Sequence, residues 1–144
     1  MTSEDLFLSQ QHPTSRRWAV VEDDGTVAYL YLTEPDSTKP AADCWLYNRV
    51  ESPSTFVGSR GGPPVAPATH VRDNHPFRPP EAESVSFRWS ADGESVAVLF
   101  DNNLMGFIAA NQRRGFSSNL SKAGPLGSPI DQELYERLFG TQSA

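Results

Sequence analysis

The stretch Val85-Ser86-Phe87-Arg88-Trp89-Ser90-Ala91-Asp92-Gly93-Glu94-Ser95-Val96-Ala97-Val98-Leu99-Phe100 carries the clearest structural instruction in the chain. Val85, Phe87 and Trp89 alternate with polar residues, as a strand with one apolar face does. Asp92-Gly93 then interrupts the run, and Val96 to Phe100 resumes it. An Asp-Gly step between two such runs favours a hairpin, because a type I′ turn needs positive φ at both central residues. Centring the turn on Asp92-Gly93 pairs Trp89 with Val96, Phe87 with Val98 and Val85 with Phe100, all six on one face. Asp101-Asn102-Asn103 marks a further turn into Leu104-Met105-Gly106-Phe107-Ile108. Centred on Asn102-Asn103, it pairs Phe100 with Met105 and Val98 with Phe107. The expectation is a three-stranded meander with one continuous core face.

The same pattern recurs upstream. Trp18-Ala19-Val20-Val21-Glu22 and Thr26-Val27-Ala28-Tyr29-Leu30-Tyr31-Leu32 flank Asp23-Asp24-Gly25. A type I′ turn at Asp24-Gly25 pairs Val20 with Tyr29 and Trp18 with Tyr31. One face then holds Trp18, Val20, Tyr29 and Tyr31, and the other Ala19, Val21, Ala28 and Leu30. Two apolar faces predict a hairpin covered on both sides. Cys44 to Val50 reads as a further strand, with Trp45 and Tyr47 on one face and Leu46 on the other. Residues 1–15 read as a flexible N-terminal tail. Residues 111–127 are loop-like. Ser128 as N-cap, Pro129 at the first helical position and Gly140 at the end predict a helix over 129–139, with Ile130, Leu134 and Leu138 as its apolar stripe.

The stretches Arg17 to Gly25 with Tyr29, and Trp89-Ser90-Ala91-Asp92-Gly93 with the apolar strand after it, resemble a family of small uncharacterised bacterial proteins. The resemblance runs over residues 16–116 and leaves out the proline-rich middle. That family has no assigned function, so the resemblance implies no activity and no catalytic residues.

The fold class expected is mainly β with one C-terminal helix (α+β). It is an antiparallel sheet of about six strands in hairpins and a meander, closed as a barrel or a sandwich. At 144 residues the chain has the size of one domain, here 16–144 behind the tail. Its 18 acids against 12 Lys and Arg leave a net charge of −6. Nucleic acid and anionic membrane are poor partners for such a surface, since phosphate contact is driven by Lys and Arg. No apolar run is long enough to span a bilayer, and the N-terminus lacks the basic start and apolar stretch of a signal peptide. The expected compartment is the cytoplasm. The ten arginines against two lysines fit a GC-rich, bacterial source.

Residues 51–82 are of different composition. They contain seven of the 12 prolines and three glycines, which exclude a central strand. Between 52 and 80, Arg60, Arg72 and Arg78 face a single acid, Asp73, a net +2 that leaves −8 on the rest. His70 and His75 flank Asp73, and Arg113-Arg114 form a second basic spot. Arginine forks pair with carboxylate or phosphate, so Arg60, His70, Arg72, His75, Arg78, Arg113 and Arg114 are the candidate binding residues. His-x4-His with Asp73 lacks a third ligand and a regular element to fix it, so no metal site is assigned. No dinucleotide, P-loop or nucleophile-elbow motif is present. Ser59-Arg60-Gly61-Gly62 runs into prolines, where a phosphate loop needs a helix N-terminus. Cys44, the single cysteine, is expected in the core. No cofactor is expected.

Three functions follow. The first is a non-enzymatic binding module that uses loop 51–82 to hold a protein partner or a small anionic ligand. The second is a small enzyme with His70, Asp73 and His75 in acid–base work under that loop. The third is an acidic toxin-neutralising or inhibitory protein.

Overall fold

The computed structural model describes residues 6–54, 63–73, 75–79 and 81–140. The strands are β1 (Leu6–Gln11), β2 (Trp18–Asp23), β3 (Val27–Thr33), β4 (Pro40–Asn48), β5 (Val85–Trp89), β6 (Val96–Phe100), β7 (Asn103–Ile108), β8 (Phe116–Ser117) and β9 (Ser128–Pro129). One helix, α1 (Gln132–Phe139), ends the described chain. The strands form a four-stranded sheet in the order β1-β2-β3-β4 and a five-stranded sheet in the order β5-β6-β7-β8-β9. The two sheets pack face to face as a sandwich, and no barrel closes. The count therefore exceeds the six strands expected. The pairing is antiparallel except between β8 and β9, which run parallel. No helix among the described residues is long and apolar enough to cross a membrane.

The inter-sheet core takes Ala19, Val21, Leu30, Leu32, Cys44 and Leu46 from one sheet, and Val96, Val98, Phe100, Met105 and Ile108 from the other. The β5–β6 register is the one the alternation predicts: Val85 with Phe100, Phe87 with Val98, Trp89 with Val96. Its turn differs. Gly93 has φ 73° and Asp92 is not left-handed, so this is not a type I′ turn. The Gly93 N–H donates to Ser90 O (3.0 Å), which builds a turn inside a four-residue loop closed by Ser90 and Ser95. A longer loop of the same parity leaves the pairing unchanged.

The other two turns move the register. In the first hairpin the left-handed residue is Gly25 alone (φ 93°), which puts Gly25-Thr26 at the centre. Val20 then pairs with Tyr31 and Glu22 with Tyr29, a slip of two that leaves the expected faces intact. In the meander, Asp101 and Asn102 are both left-handed (φ 51° and 67°), so the turn lies one residue early. Phe100 pairs with Asn103 and Val98 with Gly106, across a bulge at Met105. The bulge flips the rest of β7. Phe107, expected on the core face beside Val98, instead faces outward and packs with Tyr135 and Phe139 of α1.

A second bulge separates Ala28↔Tyr47 from Tyr29↔Trp45. Leu46 is the extra residue, so Leu46 and Tyr47 both enter the inter-sheet core while Trp45 turns to the outer face. The expected sharing of a face by Trp45 and Tyr47 is thereby corrected. Of the three tryptophans, Trp45 is buried, and Trp18 and Trp89 are half-buried.

Three further expectations are corrected. Residues within the expected flexible tail form β1, an edge strand anchored by buried Leu6 and by a Trp89 Nε1 bond to Gln10 Oε1 (2.6 Å). The helix starts at Gln132, not at 129. Asp131 is its N-cap, accepting from the Leu134 N–H (3.0 Å), because Ser128 and Pro129 are held beside β8 as β9. Arg88 of β5 clamps the helix by donating to Phe139 O (2.6 Å) and to the Tyr135 hydroxyl (3.1 Å).

The described parts of segment 51–82 form a strap over the outer face of β3 and β4. Val65, Ala66 and Val71 join Val27, Tyr29, Trp45, Leu120 and Leu126 in a second apolar cluster. The Tyr29 hydroxyl donates to Pro64 O (2.8 Å), and the Arg72 N–H to Asn119 O (2.9 Å). Proline-rich composition excludes strands here, but it does not prevent close packing.

Candidate functional site

The end of β4 and the strap enclose a cleft of about 220 Å³. Its walls are Trp45, Tyr47 and Asn48 from β4, Asn119 from the β8–β9 loop, and Val71, Asp73, His75, Pro76, Phe77 and Arg78 from the strap. Asn48 assembles it. Its Oδ1 accepts from Trp45 Nε1 (2.9 Å) and the Ala66 N–H (3.0 Å). Its Nδ2 donates to Ala66 O (2.8 Å) and Ser52 Oγ (3.0 Å). The Asn48 carbonyl also takes the Phe77 N–H (2.8 Å). One side chain thus ties strand, strap and indole together. Phe77 follows that anchor and stacks on Tyr47, with ring centroids 4.3 Å apart.

Under the cleft lies a buried charge. The Asp23 carboxylate accepts from the Tyr47 hydroxyl (2.7 Å), from Arg49 (2.9 Å) and from the Gly25 N–H (2.9 Å). Three donors replace the water lost on burial. Burial first, and then the bond to Asp23, push the Tyr47 phenol far above its ordinary value. That hydroxyl is therefore a committed donor and not a reactive group.

At the mouth, Asp73 Oδ1 accepts the His75 N–H (3.0 Å) and lies 2.8 Å from His75 Nδ1. These two bonds hold the Asp73 carboxyl below its usual range. An ionised carboxylate only accepts, so Nδ1 carries the hydrogen and Nε2 is left as the outward nitrogen. Arg78 is exposed and makes no hydrogen bond or ion pair among the described residues.

The residues expected from the sequence are thereby sorted. Asp73, His75 and Arg78 converge on the cleft. Arg72 sits beside it and donates through Nε to Ser118 O (2.9 Å). His70 does not line the cleft; its ring lies against Gly124 and its carbonyl takes the Ser121 N–H. Arg60 lies outside the described residues. Arg113 and Arg114 are at the opposite end of β4, where Arg114 bridges Asp43 at 3.7 Å and donates to Pro125 O (2.8 Å). Burial raises the Asp43 carboxyl despite those two arginines. Among the described residues no three His, Cys, Asp or Glu side chains come together as a metal set. Cys44 is buried and packed under Gly115, and burial pushes its thiol far above its ordinary value.

Sequence reasoning missed Asn48 and Asn119. An asparagine at a strand end carries no periodic signal, and its partners come from segments far along the chain. No family model, curated protein or solved structure matches the chain.

Proposed function

We propose that the protein is a non-enzymatic binding module whose cleft beneath the 51–82 strap takes an anionic group, a carboxylate or phosphate on a small molecule or an acidic partner. The observation that carries this is an exposed Arg78, without a partner among the described residues, at the mouth of an aromatic-walled cleft. The Arg78 fork supplies the donors an oxyanion needs, and Tyr47, Trp45 and Phe77 exclude water behind it.

The His75–Asp73 pair also has the form of a base and its orienter, which favours a hydrolytic enzyme as the second reading. Binding is favoured over it because the described lining contains no Ser, Cys or Lys, and its one phenol is held by Asp23.

Titration of 15N-labelled protein with inorganic phosphate and with a blocked glutamyl peptide tests the proposal. Amide shifts are expected at Val71, His75 and Arg78, with Arg78→Ala weakening binding about tenfold. Saturable binding that Arg78→Ala leaves untouched would move the site to Arg113 and Arg114.

A further inference from the structure

Among the described residues, the strap covers the outer face of the four-stranded sheet over β3 and β4. Over β1 and β2 no described residue covers it, and the register lays it out as a grid. Phe7 of β1 stands opposite Glu22 of β2, which pairs with Tyr29 of β3. In the next row Ser9 stands opposite Val20, which pairs with Tyr31. In the third row Gln11 stands opposite Trp18. Ser9 is short, so the ground above Val20 stays vacant. The result is a groove of about 370 Å³ lined by Phe7, Trp18, Val20, Glu22 and Tyr31, with Ser9, Thr33 and Thr38 at its margin.

Two properties give this groove a sign. Three aromatic side chains surround it, and Phe7 is 64% exposed, an unusual position for a large apolar ring. Among the described lining residues the one charged side chain is Glu22, which is exposed and has no ion-pair partner among the described residues. Aromatic faces are negative, and a carboxylate beside them adds to that. The surrounding charge agrees: the Tyr31 phenol is pushed up to about 12, by burial first and then by Glu22, Asp43 and Asp24. Anions are repelled from such a groove. A sugar would need several planar hydrogen-bonding side chains, and the lining offers one carboxylate.

We propose that this groove is a second binding site, which receives an arginine side chain presented by a partner polypeptide. The guanidinium lies flat over the Val20 floor, stacks on Trp18 or Tyr31 and forks onto Glu22. Arginine suits the groove better than lysine because its plane stacks and its fork is bidentate, whereas an ammonium is a compact, strongly hydrated point charge. The site takes a cation, while the strap cleft takes an anion, so the two are independent.

Titration of 15N-labelled protein with a blocked Gly-Gly-Arg-Gly-Gly peptide tests it, with the citrulline peptide as the neutral isostere. Saturable shifts are expected at the Trp18 indole and the Val20 and Glu22 amides. Glu22→Gln and Trp18→Ala should each weaken binding about tenfold, and the citrulline peptide should bind at least about tenfold more weakly. Glu22 is a solvent-facing strand residue, so its replacement leaves the fold intact as the control. Equal binding of arginine and citrulline peptides would overturn the proposal. So would arginine-peptide shifts confined to His75 and Arg78, or no shift at the Trp18 indole.

Discussion

Asn48 shows how one polar side chain can hold the walls of a cleft together. All four of its amide hydrogen-bonding positions are used in a buried setting. Asn48→Ala strands the Trp45 indole N–H and both polar groups of Ala66, each away from water. Leaving buried polar groups unpaired costs about 1–3 kcal/mol apiece, so a loss of about 3 kcal/mol is expected. Asn119→Ala removes a single bond to Leu46 O and should cost about 1 kcal/mol. Urea unfolding of the two variants measures the difference, and equal losses would show that the strap is held by apolar contact alone. The Phe77 N–H keeps its bond to the backbone carbonyl of residue 48 in the Asn48→Ala variant, so the wall that carries His75 and Arg78 should stay in place while the Ala66 stretch loosens.

Among the elements, the strap departs furthest from the sequence expectation. Prolines, glycines and net positive charge suggest a recognition loop that stands apart from the core. Its described residues instead bury Ala66 and stack Phe77 on Tyr47, with the Phe100 ring tilted against it at 6.2 Å between centroids. Replacing residues 58–79 with a short linker is therefore expected to damage the fold, not to spare it. The gentler test is Phe77→Ala. A full aromatic core site costs about 3–5 kcal/mol to empty, and Phe77 is half-buried, so about 2–3 kcal/mol is expected. Thermal and urea melts check this; a loss under about 0.5 kcal/mol would show that the strap is dispensable for the fold. The β5–β6 hairpin behaves oppositely. Its alternation sets the pairing even though the turn is not the type I′ expected.

For the molecule as a whole, burial of phenols and a thiol makes stability depend on alkaline pH. The Tyr31 phenol is pushed up to about 12. Tyr29, Tyr47 and Cys44 are also raised, each mainly by burial. A group whose folded pKa lies above its unfolded value contributes fully below the unfolded value, and the contribution is lost as pH rises towards the folded one. For phenols that window opens near about pH 10, and for the thiol near about pH 9. Stability should therefore fall steeply from about pH 9 upward, as unfolding releases protons that the folded state holds. Urea midpoints at about pH 8 and about pH 11 measure the drop. An unchanged midpoint at the higher pH would mean that these side chains ionise in place, and that the cores are wetter than their burial implies.

Alternation and turn residues, which are local, decided the hairpins, their apolar faces and the β class of the chain. A strand's side-chain period is set by its own backbone, so it is written in consecutive residues. The slips at Gly25-Thr26 and Asp101-Asn102 show the limit, since several turns satisfy the same Asp-Gly or Asn-Asn text. Long-range pairing decided the rest. The bulges at Leu46 and Met105 sort Trp45 from Tyr47 and Phe107 from Val98. Each exists because facing sheets and α1 need those side chains where they lie. Of the candidate residues, Asp73, His75 and Arg78 were legible as a charged, histidine-bearing loop, but their union with Asn48 and Asn119 was not. That union depends on contacts between residues tens of positions apart, and those form only when the strap closes over β4.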